Sequence, residues 1–149
     1  MSELELAGAR TILVVDDVSV VRRVVHRLLT EAGFRVFEAG DAAEALEVLE
    51  TTRIKVDLVI VDVIMEGVHG VDLVKCIRRR WPDQRVVYMS AFPAEVLVQH
   101  GLRDPQVIFL AKPFTREELL AKVHAAFRAG APSPRPEARA NGDAGPGPG

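Results

Sequence analysis

Five polar residues of this chain follow short apolar runs, and their side chains could together perform metal and phosphate chemistry. An apolar run of four or five residues is typical of a strand buried on both faces. In an open parallel sheet the carboxyl ends of the strands lie along one edge, so residues far apart in sequence would meet there. The residues are Asp16 and Asp17 after 11–15, Asp62 after 58–61, Ser90 after 86–89 and Lys112 after 107–111.

Three carboxylates at one place repel one another unless a cation compensates their charge. Ligand sets made only of oxygen favour Mg²⁺ or Mn²⁺, and Mg²⁺ usually accepts one or two carboxylates, several waters and a phosphate oxygen. The ammonium of Lys112 and the hydroxyl of Ser90 could hold the other oxygens of a phosphoryl group. Asp62 would then be a nucleophile, because a carboxylate can attack phosphorus to form an acyl phosphate.

The elements that must position these side chains alternate between apolar strands and amphipathic helices. Two helix starts are marked by Asp41 with Glu44 and by Thr115 with Glu118, which have the spacing of a capping box. Strands joined by helical crossovers form right-handed βαβ units, which predict a three-layer α/β sandwich with a parallel sheet in the middle. The predicted strands are 11–15, 34–39, 58–61, 86–89 and 107–111, and the predicted helices are about 21–32, 41–49, 70–80, 94–100 and 115–127.

Length and composition favour one globular domain. The chain has 149 residues, of which 48% are hydrophobic and 27% charged, and its formal net charge is -2. This charge gives no general attraction to nucleic acid or an anionic membrane, and no apolar run reaches the roughly 20 residues that span a bilayer. We therefore expect a cytoplasmic protein with neither as a direct partner. The predicted parts are a flexible leader at 1–10, a domain at 11–129 and a disordered tail at 130–149, where ten of twenty residues are Gly or Pro.

The order and spacing of these motifs resemble the receiver domain of bacterial two-component response regulators, over about residues 11–127. Each motif alone is a weak signal, but their order and spacing are specific together. The resemblance implies a flavodoxin-like (βα)5 fold with parallel strand order 2-1-3-4-5. It also implies a receiver of the single-domain type or of the type attached to hybrid sensor kinases. The matching fragments are the pair Asp16-Asp17, Asp62 within VDVIMEGVHG, the pair Ser90-Ala91 and the run Lys112-Pro113-Phe114.

The same resemblance implies a role for each residue at the sheet edge. Asp62 would be the phosphoacceptor, and Ser90 with Phe109 would form the switch that responds to phosphorylation. The other implied roles are Mg²⁺ or Mn²⁺ binding by Asp16, Asp17, Asp62 and the backbone carbonyl of Ile64, phosphoryl binding by Ser90, Ala91 and Lys112, and a cis peptide bond before Pro113. Of the metal ligands, Asp16 would act largely through water.

By this resemblance the protein acts as a phosphorylation switch and not as an enzyme. A histidine kinase or phosphotransfer protein would supply the phosphoryl group to Asp62. The domain would catalyse at most its own phosphorylation and dephosphorylation. An output protein would bind the face formed by residues 93–127, where phosphorylation changes the populations of two states.

Three alternatives come from other functional classes. A Mg²⁺-dependent phosphohydrolase needs a second acid about two residues after its nucleophile, and that position is Ile64. A nucleotide- or flavin-binding module is disfavoured because no Gly-rich loop follows the first strand, where Asp16 and Asp17 would repel phosphate without a metal. The third alternative is a receiver-shaped interaction domain that is never phosphorylated. The presence of Asp16, Asp17 and Asp62 argues against it.

Overall fold

The computed structural model describes residues 9–92 and 107–129 of the chain. This part contains five strands and four helices, and we number them in chain order. The strands are β1 (Thr11–Val15), β2 (Arg35–Ala39), β3 (Leu58–Asp62), β4 (Arg85–Ser90) and β5 (Ile108–Ala111), and the helices are α1 (Ser19–Glu31), α2 (Ala42–Thr51), α3 (Gly70–Arg80) and α4 (Arg116–Arg128). The helix predicted at 94–100, the first eight residues of the predicted leader and the predicted tail lie outside the described residues.

The five strands form one parallel sheet in the order β2-β1-β3-β4-β5. This confirms the predicted fold class and strand order. Two strands extend one residue beyond their predicted ends, because Asp62 pairs in register with Met89 and Ser90 pairs with Ala111. The apolar runs end before these polar residues, but the ladder of paired strands continues through them. Asp62 and Ser90 are therefore fixed by the sheet itself.

Two apolar cores lie on opposite faces of the sheet, because successive side chains of a strand point to opposite faces. Leu13 and Val15 of β1 belong to the core that includes residues of α2 and α3. Ile12 and Val14 belong to the other core, which includes residues of α1 and α4. All residues of β1 and β3 are buried, which explains why these strands have continuous apolar runs.

Local signals in the sequence set the helix ends. The side chain of Asp41 accepts a hydrogen bond from the amide of Glu44 at 2.8 Å, and Thr115 and Glu118 form a capping box at the start of α4. Gly33 follows α1 with a φ of 102°, a left-handed conformation that glycine adopts readily. No helix in the described ranges is long and apolar enough to cross a membrane.

Arg10, at the end of the predicted leader, contacts the domain at two points. Its carbonyl accepts a hydrogen bond from the amide of Arg35 at 2.9 Å. Its guanidinium lies over the ring of Phe127, 4.3 Å from the ring centroid. These contacts join Arg10 to β2 and α4.

Candidate metal centre

Four strand ends bring the predicted polar residues to one edge of the sheet. Asp16 and Asp17 follow β1, and Lys112 follows β5. Asp62 and Ser90 are the last residues of β3 and β4. Because these four strands are parallel and adjacent, their carboxyl ends lie side by side. The structure therefore brings all five residues to the edge at which the sequence places them.

The Lys112 ammonium joins two of the carboxylates. Its Nζ donates to Oδ2 of Asp16 and to Oδ2 of Asp62, each at 2.8 Å. The side chain of Asp16 is 0% exposed and that of Asp62 is 9% exposed, whereas 18% of the Lys112 side chain is exposed. One cation thus compensates two buried carboxylates that are far from it in sequence.

Backbone amides orient the same two carboxylates. The amide of Val18 donates to Oδ1 of Asp16 at 2.8 Å, and the amide of Ile64 donates to Oδ1 of Asp62 at 3.2 Å. In each carboxylate, therefore, one oxygen accepts a hydrogen bond from the Lys112 ammonium and the other accepts one from the amide two residues further along the chain. The structure gives Ile64 this role through its N–H, and the role of its carbonyl as a metal ligand stays a prediction.

Asp17 completes a group of three carboxylates that could hold a metal ion. Oxygens of Asp16, Asp17 and Asp62 all lie within 4.8 Å of one another. Asp17 is exposed, and its Oδ2 accepts a hydrogen bond from the amide of Glu66 at 2.9 Å. Because all the donors are oxygens and one of them faces solvent, these residues fit Mg²⁺ or Mn²⁺. A divalent ion would also reduce the repulsion among the carboxylates.

Burial and charge act in opposite directions on Asp62 and Lys112. Burial raises the pKa of Asp62 above the ordinary value of a carboxyl group, although the hydrogen bond and charge of Lys112 act against it. Burial alone would lower the pKa of Lys112, but hydrogen bonds to Asp16 and Asp62 and their charges raise it above its ordinary value. Lys112 is therefore a cation at neutral pH, and ionised Asp62 is less stable here than in water.

Ser90 and Ala91 lie where β4 ends. Ser90 is 1% exposed, and its hydroxyl oxygen accepts a hydrogen bond from the amide of Phe92 at 3.0 Å. The amide of Lys112 donates to the carbonyl of Ser90 at 2.9 Å, which connects the ends of β4 and β5. Ala91, the next residue, is exposed. After β5, the peptide bond between Lys112 and Pro113 is cis.

Phe109, the predicted partner of Ser90 in the switch, lies in the middle of β5. Its ring stacks on the ring of Tyr88 in β4, with 5.7 Å between the ring centroids. Phe109 is partly buried and packs on the core that includes α2 and α3. The ring has a defined position against β4, and its movement on phosphorylation stays a prediction.

Gly70, the first residue of α3, contributes to the site in a way that the sequence does not reveal. A Cβ atom on Gly70 would lie 2.2 Å from the carbonyl oxygen of Asp62, closer than real Cβ contacts allow. The amide of Gly70 donates to the carbonyl of Val63 at 2.8 Å. The start of α3 is therefore packed directly on the backbone of Asp62. The sequence indicates only a helix start, because a close approach to a backbone carbonyl leaves no pattern of residue types.

Replacing Lys112 by methionine should lower the free energy of unfolding at pH 7 by about 3 kcal/mol without metal. The variant would leave two buried carboxylates without their shared cation. Adding Mg²⁺ should restore part of the loss, because the ion would supply positive charge to the same carboxylates. Urea denaturation of wild type and Lys112→Met, in EDTA and in Mg²⁺, measures both effects.

Lys75→Met is the matched control, since Lys75 lies exposed on α3. Its free energy of unfolding should remain within about 0.5 kcal/mol of wild type. Equal losses in the two variants would mean that the ion pairs of Lys112 with Asp16 and Asp62 do not stabilise the fold.

A family model described as the response regulator receiver domain matches residues 12–124. Sensor kinase CckA of Brucella abortus is 33% identical over 119 residues, which are 80% of this chain and 13% of that protein. Chemotaxis protein CheY of Thermotoga maritima is 29% identical over 106 residues, which are 70% of this chain and 87% of that protein. Response regulator MprA of Mycobacterium sp. strain KMS is 33% identical, and the chain spans 55% of it. The chain thus spans only a part of CckA and MprA.

Solved structures have the same architecture. Chemotaxis protein CheY4 of Vibrio cholerae has a TM-score of 0.72 at 28% identity, covering 80% of this chain and 99% of that chain. The receiver domain from hybrid histidine kinase CckA has a TM-score of 0.65 at 34% identity, covering 78% of this chain and 97% of that chain. Both likenesses extend over nearly the whole of the solved domain.

Proposed function

Because this chain belongs to the response regulator receiver domain family, we propose that it is a phosphorylation switch in which Asp62 accepts a phosphoryl group in a Mg²⁺-dependent step. The arrangement of Asp62 carries the proposal. Its carboxylate lies at a strand end, 2.8 Å from the Lys112 ammonium, and its oxygens are close to those of Asp16 and Asp17. A nucleophile, a cation for phosphoryl oxygens and a ligand set for a divalent ion therefore occur together.

The reaction would be a substitution at phosphorus. A carboxylate oxygen of Asp62 would form the new bond to phosphorus, and the donor group would leave with the electron pair of the bond that breaks. The metal would offset negative charge on the phosphoryl group and on the carboxylates. Lys112, which contacts Asp16 and Asp62, would move one of its N–H groups to a phosphoryl oxygen. Ser90 would donate its hydroxyl proton to another.

The proposed donor is a histidine kinase or phosphotransfer protein, and the proposed output surface is the face at 93–127. Membership of the family supports a kinase as the partner, and so does the likeness to the receiver of a hybrid histidine kinase. The structure describes part of this face, including β5 and α4. The contact between Phe109 and Tyr88 would be the element that phosphorylation changes.

A phosphohydrolase is less consistent with the site, because the exposed side chain two residues after Asp62 is Ile64, which cannot act as an acid.

Intact-protein mass spectrometry after incubation with acetyl phosphate tests the proposal. Wild-type protein should gain the mass of one phosphoryl group in Mg²⁺ and none in EDTA, because three carboxylates would repel the incoming anion without the ion. Rapid sampling guards against hydrolysis of the adduct, and binding of beryllofluoride in Mg²⁺ serves as a second readout. If neither the adduct nor beryllofluoride binding is observed, the proposal is wrong, and the non-phosphorylated interaction domain takes its place.

A further inference from the structure

We propose that Arg22 is a positioning residue for the metal centre. Its guanidinium would hold the peptide that joins Asp16 to Asp17, so that both carboxylates are oriented before an ion binds. This inference rests on the proposed function, because it concerns the same metal site.

Arg22 lies in α1 and connects the ends of two strands. Its Nη1 donates to the carbonyl of Asp16 at 2.7 Å, and its Nε donates to Oε1 of Glu38 in β2 at 3.2 Å. Only 19% of its side chain is exposed. The planar guanidinium suits this task, because its N–H groups point in fixed and different directions.

Glu38 is in turn held from a second position on α1. Its Oε2 lies 2.6 Å from Nδ1 of His26, one helical turn after Arg22. Both carboxylate oxygens of Glu38 therefore contact the same helix. The side chain of Glu38 is 27% exposed. The pairing therefore holds the Arg22 side chain through a second guanidinium nitrogen, distinct from the one that contacts Asp16.

The space beside Arg22 is also kept open. A Cβ atom on Gly40 would lie 3.2 Å from Nη1 of Arg22 and 3.2 Å from Oε1 of Glu44. The amide of Gly40 donates to Glu44, at the start of α2. A glycine after β2 thus leaves room for the guanidinium to reach the end of β1.

Fixing the Asp16 carbonyl determines more than the position of Asp16. The carbonyl of Asp16 and the amide of Asp17 share one planar peptide group, so a hydrogen bond to the carbonyl also sets the direction in which the chain enters Asp17. The amide of Asp16 donates to the carbonyl of Ala39 at 3.2 Å, which holds the other side of the same residue. Asp17 is exposed and lies on a loop, so its carboxylate has two restraints, the hydrogen bond from the Glu66 amide and this backbone anchor.

The contribution of Arg22 is orientation and not charge, because Glu38 neutralises its guanidinium. Arg22→Lys keeps the positive charge but cannot donate in two fixed directions. Both Arg22→Lys and Arg22→Met should therefore weaken Mg²⁺ binding, by about tenfold for the methionine variant. Arg27→Met is the matched control, since Arg27 is on the same helix, is 79% exposed and pairs with Glu31.

Two measurements test the inference. Calorimetric titration with Mg²⁺ gives the dissociation constant of wild type and of the three variants, after urea denaturation has identified those that are folded. Hydrogen exchange of the Asp16 amide, which donates to Ala39, is measured by NMR in EDTA and reports without any metal whether the anchored residue keeps its position. We expect faster exchange at Asp16 in both Arg22 variants and no change in Arg27→Met. If Arg22→Met does not fold, Arg22→Lys supplies both comparisons.

The outcomes separate this inference from the proposed function. If wild type and both Arg22 variants bind Mg²⁺ equally, the inference is overturned and the proposed function remains. If wild type binds no Mg²⁺, the metal-dependent function fails, and unchanged exchange at Asp16 would then overturn the anchoring role as well. Weaker binding with faster exchange, and neither effect in Arg27→Met, is the result that supports it.

Discussion

The Asp62→Asn variant should take up no phosphoryl group from acetyl phosphate in Mg²⁺, and it should be at least as stable as wild type in EDTA. The loss of uptake is expected to be complete, because an amide is not a nucleophile toward phosphorus under these conditions. The adduct is measured by intact-protein mass spectrometry, and stability by urea denaturation. A variant that still gains one phosphoryl group would show that another residue is the acceptor.

The expected stability follows from the pKa of Asp62. Burial raises this pKa above the value in the unfolded chain, and the hydrogen bond and charge of Lys112 do not fully offset it. A raised pKa in the folded state means that ionisation of Asp62 costs stability as the pH rises through that pKa, and that the cost is absent at low pH. Asparagine has the shape of the neutral acid and avoids the cost. Its advantage should therefore be largest at neutral pH, shrink as the pH falls through the raised pKa of Asp62, and be absent below the ordinary carboxyl pKa of about 4.

Substitutions of Asp62 and of Lys112 should have opposite effects on stability. Removing a carboxylate from the cluster relieves burial of charge, whereas removing the ammonium leaves Asp16 and Asp62 facing each other. Asp62→Asn should stabilise the metal-free protein or leave its stability unchanged, and Lys112→Met should destabilise it. If both substitutions destabilise the protein equally in EDTA, Lys112 and Asp62 form a mutually stabilising pair, and the opposite expectation for Asp62→Asn is wrong.

The sequence predicts most of this fold because the signals are local. Continuous apolar runs indicate β1 and β3, which are buried on both faces, and the less apolar run at 34–39 indicates a strand at the flank of the sheet. The structure places that strand, β2, at the edge, with four of its five residues only partly buried. Strand ends are less predictable, since the paired ladder continues into Asp62 and Ser90 although the apolar run has ended.

The sequence also indicates which residues approach one another at the sheet edge, because parallel strands that end in polar residues must place them side by side. It does not indicate how backbone atoms contribute. Arg22 binds a carbonyl of Asp16, Glu66 offers an amide to Asp17, and Gly70 lies against a carbonyl of Asp62. Every residue has a carbonyl and nearly every residue has an amide, so contacts of this kind depend on the folded backbone and not on residue type.

Gly70→Ala should lower the free energy of unfolding by about 3 kcal/mol and slow Mg²⁺-dependent phosphorylation of Asp62 by about 100-fold. The added methyl group would lie 2.2 Å from the carbonyl oxygen of Asp62 and 3.1 Å from Cγ2 of Val61. The carbonyl of Asp62 cannot move away without moving β3, because it is part of the backbone. Either α3 or the end of β3 must therefore shift, and the Asp62 carboxylate would leave the position set by Lys112.

Gly33→Ala separates this effect from the ordinary cost of replacing a glycine. Gly33 has a φ of 102°, no atom lies within 4 Å of the position that a Cβ atom would take there, and it follows α1 at the opposite end from the acidic pair. Alanine there should cost about 1 kcal/mol through backbone strain and leave the phosphorylation rate unchanged. Urea denaturation and the initial rate of adduct formation measure the two quantities in both variants. A Gly70→Ala protein that is phosphorylated as fast as Gly33→Ala would show that Asp62 keeps its position when α3 moves, and that the contact with α3 does not set the site.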